Sequence, residues 1–139
     1  MTLLADDLIT ADAGKLGLFH EDGKVEFGFD GDRNIVLVDA LGTPDECRFT
    51  YQGLPVSKEI ARIYYRGTDW HSDVEEAKSL DKVNWKRLVK SAPQPIPGGL
   101  RDFISNLYKA YAGELTGRRW FDVPPLKESL QTIERFLQE

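Results

Sequence analysis

The residues best suited to chemistry crowd into one stretch, "EDGKVEFGFDGDRNIVLVDALGTPDECRF", residues 21–49. Lys24 and Glu26 sit two apart on a strand-like run, Asp39 ends the next run, and Asp45 and Arg48 follow Pro44. A lysine offers a mobile point charge to a phosphate, and an arginine offers a bidentate clamp. Two carboxylates offer a hard divalent cation its oxygen ligands, and Mg2+ is commonly held by one or two carboxylates plus substrate phosphate oxygens. Asp45 could accept hydrogen bonds from a polar ligand, and Gly28 would leave room for one to approach the backbone. Strand alternation places Lys24, Glu26 and Gly28 on one face and Val25, Phe27 and Phe29 on the other, toward the core. Direct pairing of Glu26 with Asp39 would set their Cβ atoms about 5 Å apart, close enough for one ion. A one-residue slip would send them to opposite faces. Spacing alone does not specify such a site, since Lys-x-Glu on an exposed strand and carboxylates at strand ends are ordinary.

The elements that must hold these residues follow from periodicity. Leu3, Leu4, Leu8, Ile9 and Leu16 read as the tail of a helix ending near Gly14 or Gly17. A hairpin follows, with strands over 24–29 and 34–39 around the turn-forming "DGDRN". Gly42, Pro44 and Asp45 mark residues 40–49 as a loop. Val56 and Ser57 open a short helix closed by Gly67. From 69 to 90 the pattern is helical, with Val74, Ala77, Leu80, Val83, Trp85 and Leu88 as its buried side. "SAPQPIPGG", 91–99, is a semi-rigid linker. Leu100, Phe103, Ile104, Leu107, Tyr111 and Leu115 then repeat at helical spacing before Gly117. Asp122, ahead of Pro124 and Pro125, opens a last helix with the stripe Leu126, Leu130, Ile133 and Leu137. The fold class is α+β, an antiparallel hairpin or sheet followed by packed C-terminal helices. Trp85, Trp120 and the tyrosines on those helices are expected in the core or at its edge. The basic run "KVNWKRLVK" is expected to be a solvated face.

Composition bounds the alternatives. A chain of 139 residues suits one domain and a genuine core. Its net charge of -5 argues against nucleic acid as a partner. No apolar run approaches the length of a membrane span, and the N-terminus lacks the pattern of a secretory signal. The single Cys47 makes no intrachain disulfide, in keeping with a reducing, cytoplasmic setting. His20 and His71 lack supporting ligands and are expected at the surface.

"GKVEFGF", then "IVLVDALGTPDECRF", then "LPVSKEIAR" together resemble the C-terminal half of phosphoribosylaminoimidazole-succinocarboxamide synthase (SAICAR synthetase), in its archaeal-type form. The "SAPQPIPGGLRDFISNLYKAYAGELTG" segment resembles that group's C-terminal extension, so the likeness spans nearly the whole chain. It implies the C-terminal lobe of a SAICAR synthase-like, ATP-grasp-related fold. The implied activity is a purine-biosynthesis ligase that uses ATP to join the carboxylate of the aminoimidazole ribonucleotide CAIR to the amine of L-aspartate, giving SAICAR, ADP and phosphate. Position by position, Glu26 and Asp39 match the magnesium-binding carboxylates. Lys24 would serve in catalysis and in holding the nucleotide. Asp22 and Lys24 would line the CAIR and phosphate region, and Asp45 and Arg48 the loop facing the ribose phosphate. Lys58 and Arg62 follow on the next helix. Ala40 departs from many bacterial members, which have a Glu there.

The resemblance also implies parts that residues 1–139 do not contain: a Gly-Lys strand pair over the ATP phosphates and an Arg-rich segment that grips CAIR. The expectation is a chain that catalyses poorly alone, because phosphoryl transfer needs both substrates positioned. Its opening helix would then be a cut through a larger fold. Three readings follow: an enzyme completed in trans by an N-terminal-lobe polypeptide across a hydrophobic interface, a non-catalytic nucleotide-binding or scaffold remnant, or a shortened chain. A homo-oligomer is compatible with any of them.

Overall fold

The computed structural model describes residues 1–138, with side chains to Thr132. Helix α1 (Thr2–Lys15) leads into β1 (Phe19–Gly23), β2 (Phe27–Phe29) and β3 (Ile35–Leu37). Strands β4 (Cys47–Tyr51) and β5 (Leu54–Pro55) precede helices α2 (Glu59–Arg66), α3 (Asp69–Leu80), α4 (Gly98–Thr116) and α5 (Leu126–Gln138). A single 3-10 turn covers Trp85–Arg87. The strands make two sheets, β1-β4-β5 and β2-β3, antiparallel throughout.

The larger sheet forms because residues 47–51 alternate: Cys47 and Phe49 are buried and Arg48 is exposed. The sequence pattern marks 40–49 as a loop and shows no strand at β1, whereas residues 47–51 and 19–23 are paired strands. The tight turn into β5 rests on Gln52 and Gly53, both at positive φ, the geometry of a two-residue hairpin loop that matches strand twist. Against the inner face of β4 pack Ile9 and Ala13 of α1, Leu107 and Tyr111 of α4, and Leu126 and Leu130 of α5. The Phe49 and Tyr111 rings stack at 5.6 Å, and the Tyr111 hydroxyl donates to the Gly42 carbonyl at 2.5 Å. Burial pushes that phenol up to about 12.

The smaller sheet departs from expectation. Its strands are three residues each, organised by Asp30, whose carboxylate accepts the N–H groups of Asp32 and Asn34. Phe29 does not enter the core; it is 68% exposed, and Ile35, Leu37 and Val38 are exposed as well. Nor does Gly28 leave a gap, because a Cβ there would stand 2.8 Å from a Val38 methyl. The helix expected over 69–90 ends at Leu80, where Asp81 turns the chain by accepting the N–H groups of Val83 and Asn84. Of its expected apolar side, Val74 and Ala77 are buried while Leu80, Val83 and Leu88 are exposed. Helix α4 has the predicted face and ends at Gly117 as predicted, with that residue in the left-handed conformation. Helix α5 starts at Leu126, whose N–H donates to Glu114 rather than to an Asp122 cap. Ile133 and Leu137 of its stripe lie outside the described side chains. Trp120, expected in the core or at its edge, is exposed. His20, expected at the surface, is buried, with Nδ1 3.0 Å from Thr10 Oγ1 and the ring beside Phe49.

Candidate functional site

The β1-β4 ladder assembles the site. His20 pairs with Phe49, and then the register shifts so that Asp22 pairs with Arg48 and Gly23 with Cys47. The extra residue is Glu21. Such a bulge resets the alternation of a strand, and here it leaves both Glu21 and Asp22 exposed while His20 stays in the core. Beyond the strand end the ladder continues through a hydrogen bond from Lys24 N to the Glu46 carbonyl at 3.0 Å. Asp22, Lys24, Glu46 and Arg48 therefore share the outer face, opposite the buried Cys47 and Phe49.

Two charged groups result. In the first, the Lys24 ammonium makes a close ion pair with Glu26 and lies 3.8 Å from Glu46 and 4.0 Å from Asp39. Hydrogen bonding to Glu26 and the Glu26 charge raise the Lys24 pKa most, with Glu46 and Asp39 adding to the effect. Glu26 and Asp39 are each about half exposed, whereas the Glu46 side chain is 20% exposed and the most enclosed of the three.

Direct pairing of Glu26 with Asp39 does not occur. Phe27 pairs with Leu37 and Gly28 with Val36, and the Glu26 carbonyl accepts the N–H of Val38 at 3.1 Å, one residue short of Asp39. The two carboxylates nonetheless converge on one cation, because both lie beyond the paired residues of the ladder, where strict alternation no longer fixes direction. Asp39 Oδ1 accepts its neighbour Ala40 N–H at 2.7 Å, while Oδ2 is the atom nearest Lys24.

In the second group, Arg48 Nε donates to Asp22 Oδ1 at 2.6 Å and Nη2 to Oδ2, a bidentate cross-strand pair. That pair holds the Asp22 carboxyl below its ordinary range and raises Arg48. Arg48, expected as a bidentate clamp, is thus already paired within the chain, and Asp22 reaches it from strand β1. A cavity of about 280 Å³ opens beside them, walled in part by Glu21, Thr50, Ser57 and Glu59. Thr50 Oγ1 donates to Glu21 at 3.2 Å. Glu59 binds Arg62 at 3.1 Å and also pairs with Arg66. Burial raises the Glu59 pKa, but the two arginines outweigh it, so the net shift is downward. Lys58, at the N-terminus of α2, lies 3.8 Å from Asp45.

Of the predicted residues, Lys24, Glu26 and Asp39 come together, Asp22 joins Arg48, and Asp45 joins Lys58. Arg62 sits a step away, through Glu59. Glu21, Glu46 and Glu59 were missed; alternation along 46–50 would have revealed Glu46 had that segment been read as a strand. Among the described residues, no three His, Cys, Asp or Glu side chains are grouped to hold a metal ion unaided. Glu26 and Asp39 converge on the Lys24 ammonium, and carboxylate oxygens of this kind are ligands a divalent cation can share with water or phosphate.

A family model described as SAICAR synthetase matches residues 5–82, a segment that contains every one of these side chains. The chain belongs to the SAICAR synthetase family. An Archaeoglobus fulgidus protein named as a phosphoribosylaminoimidazole-succinocarboxamide synthase is 44% identical over 99% of this chain and 41% of its own length. The Thermoplasma acidophilum synthase is 34% identical over 85% of this chain and 40% of its own length. A solved SAICAR synthetase (Type-2) in complex with ADP aligns at 26% identity over 65% of this chain and 35% of that one, with a TM-score of 0.40. The chain thus spans about two fifths of the length of these curated SAICAR synthetase relatives. Among the described residues, no helix is long and apolar enough to cross a membrane.

Proposed function

We propose that this chain is the C-terminal part of a SAICAR synthetase that joins CAIR and L-aspartate at the expense of ATP, its site completed in trans by an N-terminal lobe. The observation that carries the reading is the convergence of Glu26, Asp39 and Glu46 on Lys24, beside the Asp22–Arg48 pair, in a member of this family. ATP-dependent ligation passes a phosphoryl group to the CAIR carboxylate, forming an acyl phosphate, and the aspartate amine then displaces phosphate from it. Both steps gather negative charge at one point, and fixed cations stabilise that charge as it develops.

Each residue has a part in this scheme. Lys24 is held by its carboxylates on an open face, so its ammonium can meet a phosphoryl oxygen without first being ordered. Asp22 takes two donors of the Arg48 guanidinium, which fixes its plane and leaves the remaining Nη hydrogens for the CAIR phosphate. Asp45 and Lys58 stand at the start of α2 for the ribose side of that ligand, with Arg62 further along the helix. Glu26 and Asp39 would hold Mg2+, which when bound neutralises charge on the nucleotide phosphates. The apolar surface left open on α1 and the β2-β3 hairpin fits a buried contact with the completing lobe.

The experiment mixes this chain with the N-terminal segment of an archaeal relative and follows SAICAR formation from ATP, L-aspartate and CAIR. Product formed by the mixture and by neither part alone is the expected result. An inert mixture in which this chain still binds magnesium nucleotide would favour a scaffold role and overturn the enzymatic one.

A further inference from the structure

A second cavity shares no residue with the site above and lies outside the segment matched by the family model. It occupies about 500 Å³ between the last turns of α4 and the 117–125 connection, within the size range of small-molecule pockets. Lys109, Arg118 and Arg119 line it, with Glu114 as the acidic residue among its walls. That carboxylate is already committed, since it accepts the first N–H of α5 at 2.6 Å. Arg119 is engaged too, in an ion pair with Asp122. Lys109 and Arg118 make no ion pair in the described structure; each instead lies over an aromatic ring. The Arg118 guanidinium is 5.4 Å from the centre of Trp120, and the Lys109 ammonium 5.9 Å from that of Phe121.

The aromatic walls are held ready rather than buried. Trp120 is 55% exposed and Phe121 48%. The indole N–H donates to Thr116 Oγ1 at 2.9 Å, which pins the ring against α4 and satisfies its polar edge. The chain reaches this position because Gly117 adopts the left-handed conformation that ends α4 and lets Arg118 N–H donate back to the Gly113 carbonyl at 3.0 Å. Exposed planar rings beside cations form a surface on which a base can stack while its phosphate meets positive charge.

We propose that this cavity is a second ligand site, taking a nucleoside monophosphate with its base against Trp120 and its phosphate between Lys109 and Arg118. The inference goes beyond the ligase reading and does not need it. Its test uses AMP and the whole chain in EDTA, which removes any metal-dependent binding at the Lys24 cluster. AMP should shift the Trp120 indole N–H resonance saturably, and adenosine and inorganic phosphate should each bind more weakly than AMP. By calorimetry, Trp120→Ala and Arg118→Ala should each weaken AMP by about tenfold or more, while Lys24→Ala leaves it unchanged. Since Arg118 is exposed, its variant keeps the test valid if Trp120→Ala fails to fold. The proposal is overturned if Trp120 shows no saturable shift, if Arg118→Ala binds as wild type, if adenosine binds as well as AMP, or if Lys24→Ala abolishes binding.

Discussion

At the scale of single residues, the outer face of the β1-β4 ladder is a balance of paired charges. Asp22 illustrates the sign of that balance. Its folded pKa lies below the ordinary value of 3.8, so the Arg48 pair favours the folded state above about pH 4, and that contribution is lost as pH falls through the lower folded value. Arg48→Ala should therefore remove part of the acid dependence of the melting temperature below about pH 4, with little change in its shape near pH 7. Gly23 is constrained from the other side of the same strand. A Cβ there would stand 2.6 Å from Cys47 Sγ and 3.2 Å from His20 Nε2, both buried. Gly23→Ala should cost about 1–3 kcal/mol in urea denaturation, as overpacking does. Gly28→Ala should cost less, because the Val38 methyl it meets is on an exposed side chain that can turn away.

At the scale of elements, helix α3 offers a clean measurement. Thr68 caps it in an extended conformation and accepts the His71 N–H at 3.3 Å, so Thr68→Ala should destabilise the protein by about 0.5–2 kcal/mol by thermal or chemical denaturation. The helices were the elements most legible in the sequence, because a burial stripe repeats at 3.6 residues and α4 runs long enough for Leu100, Leu107 and Tyr111 to show it. The strands were less so. Three-residue β2 and β3 are too short to announce a face, and the apolar Phe29 reads as core when it is solvent-facing. The bulge at Glu21 breaks the alternation that would have revealed β1. Register was the hidden variable at the site: Lys24, Glu26 and Asp39 were recognisable by type and by family likeness, but their convergence occurs past the ladder's paired residues, where spacing no longer dictates direction. His20 shows the same limit, since nothing local in the sequence signals that Thr10 and Phe49 will enclose it.

At the scale of the whole molecule, apolar side chains stand exposed on two elements. Leu3, Leu4 and Leu8 are exposed on α1, and Phe29, Ile35, Leu37 and Val38 on the hairpin, in a chain that spans about two fifths of its relatives' length. Such residues fit the contact proposed above for a completing lobe. Hydrophobic-dye fluorescence of the isolated chain should fall when the completing lobe is added, and Leu8→Asp with Phe29→Asp should prevent that fall while leaving the chain's own circular dichroism unchanged. The central claim, that acidic side chains around Lys24 form half of a ligase centre, is tested most directly by the rate of SAICAR formation in the complemented mixture. With Glu26→Gln or Asp39→Asn in place of the wild-type chain, the account predicts a loss of about 100-fold or more with lobe association intact. A rate equal to wild type in both variants would contradict it.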